Sequence, residues 1–324
     1  MTYKVLAFYC FCTIDEPERE VKRWKKFLEG LDAKGRIYLN GEGINAQMSI
    51  LEKDLPKFVS WLGEDVRYGG IEIKVHETEE HAFAKMTVKF REQLVAMDCD
   101  YDLSKGGKRL SPKEWAAMIE SKDEETVILD VRNDYEWEVG HFEGAEKPCM
   151  ETFREFPEYA KKLREKRDPK KTKVMMYCTG GIRCELYSCL LKEEGFDEVF
   201  QLEGGVIKYG QDVGQKHWKG KLFVFDDRLV VPISPEGKNE VISTCAHCET
   251  SSDTYYNCAN MDCNALFISC LSCVEKMQGC CSEECISAPR RRPIEVTPNP
   301  KPFRKLSFEE KSKLQDSSSC QSAQ

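Results

Sequence analysis

Two groups of cysteines in this chain have the type and spacing to do chemistry. The first centres on Cys178, in the run Cys178-Thr179-Gly180-Gly181-Ile182-Arg183. The apolar stretch 174–177 before it reads as a buried strand, and 183–194 reads as a helix. A loop joining a parallel strand to a helix gathers its backbone N–H groups around one point, at the positive end of the helix dipole. Gly180 and Gly181 permit the curvature of such a nest. A cysteine placed there is held as the thiolate, with its pKa lowered. Arg183 adds a cation that closes the loop or holds an anionic group. A lone cysteine at a strand end is more simply a small buried residue, but two glycines and an arginine at this spacing argue against that. Cys184 is either a resolving thiol for an oxidised or persulfidated Cys178 or a packed helix residue. Cys189 on the same helix is read as packing.

The second group lies between Cys245 and Cys285, which holds nine of the 17 cysteines. Its spacing is Cys245-x2-Cys248, Cys258-x4-Cys263, Cys270-x2-Cys273 and Cys280-Cys281-x3-Cys285. A Cys-x2-Cys knuckle sets two sulfurs on one tight turn, which suits tetrahedral Zn²⁺. The expectation is two structural zinc ions held by Cys245, Cys248, Cys258, Cys263, Cys270, Cys273, Cys281 and Cys285. Sequential and interleaved pairing both fit, and either Cys280 or Cys281 is the spare. His247 is read as a bystander. So short a segment has too little apolar surface to fold alone, so metal would supply much of its stability.

The elements that must position these groups follow from periodicity. Residues 3–14 read as a strand, 16–30 as a helix with Val21, Trp24, Phe27 and Leu28 on one face, 36–39 as a strand from which a Gly-Glu-Gly loop leads to Ile44-Asn45-Ala46, and 52–63 as a second helix. Strands near 71–76 and 87–91 complete a β-α-β-β-α-β order, which predicts a ferredoxin-like α+β domain over 1–97. Residues 98–110 read as a linker. Helix 111–121 opens with Ser111-Pro112, strand 127–129 follows, then helix 151–166, strand 174–177, helix 183–194 and strand 198–202. That alternation predicts an α/β domain with a parallel sheet over 111–220. A cysteine-rich zinc module is expected over 221–288 and a flexible tail over 289–324.

With 324 residues, 41% hydrophobic and 32% charged, the chain has the composition of a multidomain globular protein. No apolar run approaches the roughly 20 residues that span a bilayer, so no membrane segment is expected. The N-terminal stretch lacks the pattern of a secretory signal, which points to the cytoplasm and to reduced cysteines. The net charge of −8 disfavours an unspecific nucleic-acid coat, and DNA is not an expected partner. It leaves room for a local basic groove, from Lys85, Lys89 and Arg91 or from Arg290, Arg291, Arg292, Arg304 and Lys305, where solvated surface charge is the alternative. There is no Gly-x-Gly-x-x-Gly fingerprint and, with five histidines, no evident site of two histidines and a carboxylate for iron.

The Cys178–Arg183 loop resembles the active loop of the rhodanese family. A second shared element is Asp130-Val131-Arg132 through Glu136, Gly140-His141 and Gly144-Ala145. In that family these residues brace the domain, so Asp130, Arg132, Glu136 and His141 are expected to be mainly structural. The six-residue loop is typical of sulfur-handling members rather than of the longer phosphatase-type loops. Taken with Gly35-Arg36-Ile37-Tyr38, Gly41-Glu42-Gly43-Ile44-Asn45, Glu203-Gly204-Gly205-Val206 and the cysteine-rich end, the chain is similar over about residues 3–288 to the oxygen-dependent tRNA uridine hydroxylases of the rhodanese superfamily. The resemblance implies an oxidoreductase that converts the wobble uridine of tRNA to 5-hydroxyuridine with O₂, drawing electrons from an external donor, with Cys178 essential. Residues 179–182 would form the substrate loop, with Arg183 and Cys184 beside the thiolate. Arg36, Lys85, Lys89 and Arg91 would meet the phosphates of the anticodon loop, and the 41–45 stretch would be a further contact or a plain turn. The alternative is a sulfurtransferase carrying a persulfide on Cys178.

Overall fold

Residues Tyr3–Phe11 form β1, whose alternation turns Leu6 and Phe8 to one face and Val5, Ala7 and Tyr9 to the other. The computed structural model describes residues 1–302 except 96, 98–100, 149, 151, 152, 239 and 295. After β1 come α1 (Pro17–Leu28), β2 (Ala33–Asn40), β3 (Gly43–Leu51), α2 (Leu55–Gly63), β4 (Lys74–Thr78) and β5 (Met86–Phe90). The sheet order is β4-β1-β3-β2-β5. Its first four strands pair antiparallel in the ferredoxin-like arrangement, and β5 adds an edge strand parallel to β2. Trp24 of α1 and Phe58 of α2, both fully buried, pack with Leu6, Phe8, Ile37 and Met48 on one face. Burying each such side chain contributes roughly 2–3 kcal/mol. Asn40 pairs with Gly43, so Gly41-Glu42 is the two-residue turn of the β2–β3 hairpin. Of the 41–45 stretch, 41–42 is thus a plain turn, while Gly43–Asn45 opens β3.

The second domain is built from β6 (Lys108–Leu110), α3 (Pro112–Glu120), β7 (Thr126–Asp130), α4 (Asp134–Val139), β8 (Gly140–Phe142), α5 (Phe156–Lys166), β9 (Lys173–Tyr177), α6 (Ile182–Glu193), β10 (Glu198–Leu202) and α7 (Gly205–Asp212). Its parallel sheet has the order β6-β10-β9-β7. Successive residues of β9 feed opposite cores: Val174 and Met176 pack with α5 and α6, and Met175 and Tyr177 pack with α3 and α7. That two-sided burial is why the strand reads as a continuous apolar run. Ser111 caps α3 in a capping box with Glu114, as its sequence predicts. Two features differ from the sequence reading. Residues 108–110, assigned to the linker, are edge strand β6, because they pair with β10. Helix α4, unmarked by apolar periodicity, is set by the Asn133–Glu136 capping box.

Beyond α7, β11 (Trp218–Gly220) pairs antiparallel with β8, and β12 (Leu222–Phe223) pairs with β13 (Val230–Val231). The cysteine-rich module holds β14 (Tyr255–Asn257), β15 (Leu266–Ile268), α8 (Leu271–Lys276) and α9 (Glu283–Ile286). Arg290, Arg291 and Arg292, assigned to a free basic tail, are instead tied to Asp262, Gln278 and Asn264 of this module. Arg304 and Lys305 lie outside the described residues. Among the described residues, no helix is long and apolar enough to cross a membrane.

Candidate active site

The helix-free face of the first sheet docks on the second domain. Lys208 of α7 pairs with Glu72 at 2.7 Å, Gln211 donates to the Val75 carbonyl at 2.8 Å, and Arg36 donates to the Phe225 carbonyl. A cavity of about 400 Å³ remains in the seam. One wall is sheet, with Tyr9, Tyr38, Asn45, Gln47 and Lys74; another is the active loop, with Thr179, Gly180, Ile182 and Arg183. Residues 222–231 of the β12–β13 region supply Leu222, Val224 and Phe225.

Cys178 directly follows β9, beneath the loop wall, and is fully buried. Its sulfur accepts the Gly181 N–H at 3.1 Å. Burial by itself would raise its pKa. The Cys184 thiol donating to the sulfur, the Arg183 charge, and the Arg183 and Gly181 backbone N–H groups outweigh that and bring it down to about 5. Burial and the adjacent thiolate push Cys184 the other way, so it stays a neutral donor. The nest inferred from the glycines is thus present. Gly181 has φ +101°, and a Cβ there would sit 2.9 Å from the Tyr9 hydroxyl oxygen, so only glycine fits. The Cys189 thiol donates to the Glu185 carbonyl at 3.1 Å, as packing requires.

Arg183 is held by a carboxylate. Its guanidinium makes two hydrogen bonds to Glu136, at 2.7 and 2.8 Å, and the Thr179 hydroxyl donates to the same carboxylate at 2.5 Å. Glu136 also accepts from Asn133 at the start of α4. The second rhodanese-like element, through Glu136, therefore grips the loop directly. Asp130 and Arg132 pair at 2.6 Å with both side chains buried, and Tyr177 donates to Asp130 at 2.6 Å. His141 stacks on Trp137 and does not line the cavity.

Sequence reasoning missed the contribution of the first domain. Tyr9 reaches across the seam and donates to Glu185 of α6 at 2.9 Å, beside Arg109 at 2.8 Å. Lys74, on β4 opposite Ala7, is 4% exposed and lies over the Tyr9 ring at 5.3 Å. Burial lowers its pKa, while the Glu72 and Cys178 charges oppose that. No spacing rule links β1 or β4 to a loop more than 100 residues away. The only signal was polar residues on what had to be an apolar or solvated face. Of the expected phosphate contacts, Lys85, Lys89 and Arg91 are exposed. The β2–β5 register sets Arg36 opposite Thr87 and Tyr38 opposite Lys89, which places Arg36 and Lys89 on the cavity face of the sheet. Arg91 lies over Tyr38 at 5.0 Å. Arg36 is half-buried against Phe225 rather than at the surface.

Three family models match: the UPF0176 acylphosphatase like domain over 3–94, the Rhodanese-like domain over 111–212 and the Rhodanase C-terminal model over 219–286. A protein of Chlamydia felis (strain Fe/C-56) named tRNA uridine(34) hydroxylase is 51% identical over 316 residues, covering 97% of this chain and 96% of its own. Proteins of the same name from Chlamydia pneumoniae and Protochlamydia amoebophila (strain UWE25) are 50% and 52% identical, covering 98% and 94% of this chain and the same shares of their own. The chain belongs to the tRNA uridine(34) hydroxylase family.

This member of the hydroxylase family also carries two sets of four thiols. Cys245, Cys248, Cys270 and Cys273 form one set, and Cys258, Cys263, Cys281 and Cys285 the other; the sulfurs of each lie within 4.8 Å of one another. The pairing left open by the sequence is thus interleaved, with first and third knuckles together and second and fourth together. Sulfurs on a tetrahedral ion with bonds of about 2.3 Å stand about 3.8 Å apart. The Cys248–Cys270, Cys263–Cys281 and Cys281–Cys285 separations are 3.7, 3.7 and 3.9 Å, so both sets fit a metal ion. Cys280 is the spare, buried with Tyr256, Phe267 and Val274. His247 belongs to neither set.

Proposed function

We propose that this chain hydroxylates C5 of the wobble uridine of tRNA with O₂, and that Cys178 is its nucleophile. The observation that carries the reading is a buried cysteine, its sulfur held by the Gly181 N–H, behind the wall of a two-domain cavity in a chain whose relatives bear the hydroxylase name. A wobble base is single-stranded in the anticodon loop, so it enters a pocket without opening a duplex. A volume near 400 Å³ lies in the range of small-ligand pockets. Asn45 and Gln47 line it, joined by a hydrogen bond of 2.8 Å. Their remaining amide groups offer the donor and acceptor that a uracil edge needs. Lys85, Lys89 and Arg91 then meet anticodon-loop phosphates at the rim.

The chemistry proposed is covalent activation. The Cys178 thiolate adds to C6 of the base, making C5 electron-rich, and C5 reacts with O₂. One oxygen atom stays on C5. The other leaves as water, with two electrons and two protons from an external reductant; loss of the C5 proton then restores the C5=C6 bond and expels the Cys178 thiolate. The nest N–H groups and the Arg183 charge keep Cys178 ionised until attack. Gly180 lines the cavity in front of the sulfur, and a Cβ there would meet nothing within 4 Å. Zn²⁺ on the two thiol sets would be structural, because four sulfurs leave no open position.

Mass spectrometry of tRNA nucleosides from a deletion strain tests this reading. Complementation with the wild-type chain is expected to restore 5-hydroxyuridine, and Cys178→Ser to restore none. A purified chain that instead transfers sulfur from thiosulfate to cyanide, and leaves tRNA unchanged under air with a reductant, would make it a sulfurtransferase.

A further inference from the structure

Lys74 has no evident structural reason to be where it is. It is 4% exposed, and among the described residues no carboxylate lies within ion-pairing distance of its ammonium. Glu72, the acid nearest in sequence, is taken by Lys208 at 2.7 Å. Lysine is almost never fully buried unless paired, because leaving water unpaired costs several kcal/mol. A fold that needed only to fill this position would use an apolar residue. The register explains where the side chain goes: Lys74 opposes Ala7 on the helix-free face, flanked by Tyr9, and enters the cavity facing the active loop. Its charge and that of Cys178 act on each other across the seam. A cation that lines the cavity and a nucleophile buried behind its loop wall thus come from different domains to one seam.

We propose that Lys74 is a second catalytic residue: its ammonium binds O4 of the uracil ring while the Cys178 sulfur adds to C6, and it holds the enolate so formed. The inference rests on the reading of Cys178 as nucleophile. When the Sγ–C6 bond forms, the C5=C6 π pair moves to C4–C5 and the C4=O4 pair moves onto O4. No electron leaves the system, and the negative charge passes from sulfur to oxygen. A fixed cation beside O4 is worth most at that moment, when the charge arrives on oxygen. The lowered pKa of Lys74 suits a donor that shares its proton with the enolate oxygen. The arrangement also selects for the base, since the carbon attacked must be conjugated to an oxygen that Lys74 reaches.

The test uses full-length protein and tRNA carrying 5-fluorouridine at the wobble position. Thiolate addition there, followed by protonation at C5, leaves a covalent complex that is retarded on denaturing gels. Wild type is expected to accumulate this complex, and Lys74→Met to form it about 10²-fold more slowly at saturating tRNA. The Kd for tRNA should be unchanged, because the residue is too enclosed to meet a phosphate. Lys74→Met should also melt at or above the wild-type temperature, since an unpaired buried charge has been removed. Lys74→Gln, uncharged but polar, carries the same comparison should the Met variant fold poorly. If wild type is trapped and both variants are trapped equally fast, the role of Lys74 is overturned while the nucleophile stands. A loss that is wholly a weaker Kd would make Lys74 a binding residue and overturn it as well. If wild type gives no complex, both readings fall.

Discussion

Arg183 and Glu136 face each other in a buried, two-pronged ion pair with hydrogen bonds of 2.7 and 2.8 Å. The cation closing the active loop is therefore committed to the protein, and it acts on Cys178 as a fixed charge rather than as a ligand for substrate. Removing one partner of a buried pair leaves the other uncompensated, which typically costs about 3–5 kcal/mol. Glu136→Gln is expected to lose stability on that scale in urea unfolding. It should also lose hydroxylation, because Thr179 hangs from the same carboxylate. A variant that unfolds at the wild-type urea midpoint would show that the pair does not brace the loop.

The Cys178 thiol is expected to titrate near pH 5, as read from the ultraviolet thiolate absorbance of wild type minus Cys178→Ser. Cys184 supplies one donor to that thiolate, and a hydrogen bond to a charged group is worth about 1.5–3 kcal/mol. Cys184→Ala should raise the midpoint by about one pH unit or more. A midpoint unmoved by Cys184→Ala would mean that the neighbouring thiol does not donate.

The same titration predicts a stability slope. The thiol pKa is lower in the folded chain than in the unfolded one, where it is about 8.5. Between pH 5 and that value the unfolded state binds the extra proton, so stability rises with pH. The contribution is fully present above the unfolded pKa and is lost as pH falls through the folded one. Cys178→Ser should remove this part of the slope. Parallel stability curves for the two proteins across that window would refute the shift.

Much of this site could be read from the sequence, and the missing part has a physical cause. The Cys178 loop is local: strand, glycines, arginine and helix lie within one short segment, and local geometry follows from local residues. The two thiol sets were legible in composition and spacing, but not in pairing, because either pairing closes a tetrahedron. Tyr9, Lys74 and Glu136 were not legible as site residues. Each reaches the loop through tertiary contact, and in sequence each looks like ordinary surface or brace polarity. Strand β6 was hidden for a similar reason, since three residues carry no period and only pairing with β10 makes them a strand.

Lys89 and Arg91 are exposed at the β5 edge of the first sheet, on either side of Phe90. If they meet tRNA phosphates, each neutralised phosphate on a single strand contributes about 0.7 to the slope of log K against log salt. Lys89→Glu with Arg91→Glu should weaken tRNA binding and flatten that slope by about 1.4. The trapping of 5-fluorouridine at saturating tRNA should survive, since neither residue touches the loop. An unchanged slope would move the tRNA path to another surface.

Interleaved thiol sets predict a metal count that sequential sets do not. Native mass spectrometry of the full chain should show two bound ions. Cys248 and Cys270 share one site, with sulfurs 3.7 Å apart. Cys248→Ser with Cys270→Ser should therefore leave one ion, still held by Cys258, Cys263, Cys281 and Cys285. Sequential pairing would put Cys248 and Cys270 in different sites, and the same double variant would then damage both. Cys280→Ser should keep both ions, because that thiol sits in the apolar cluster with Val274 and Phe267. Chelation of both ions should melt the module first, since its few buried apolar residues cannot order it alone. The first sheet, whose core centres on Trp24 and Phe58, should keep its amide protection throughout.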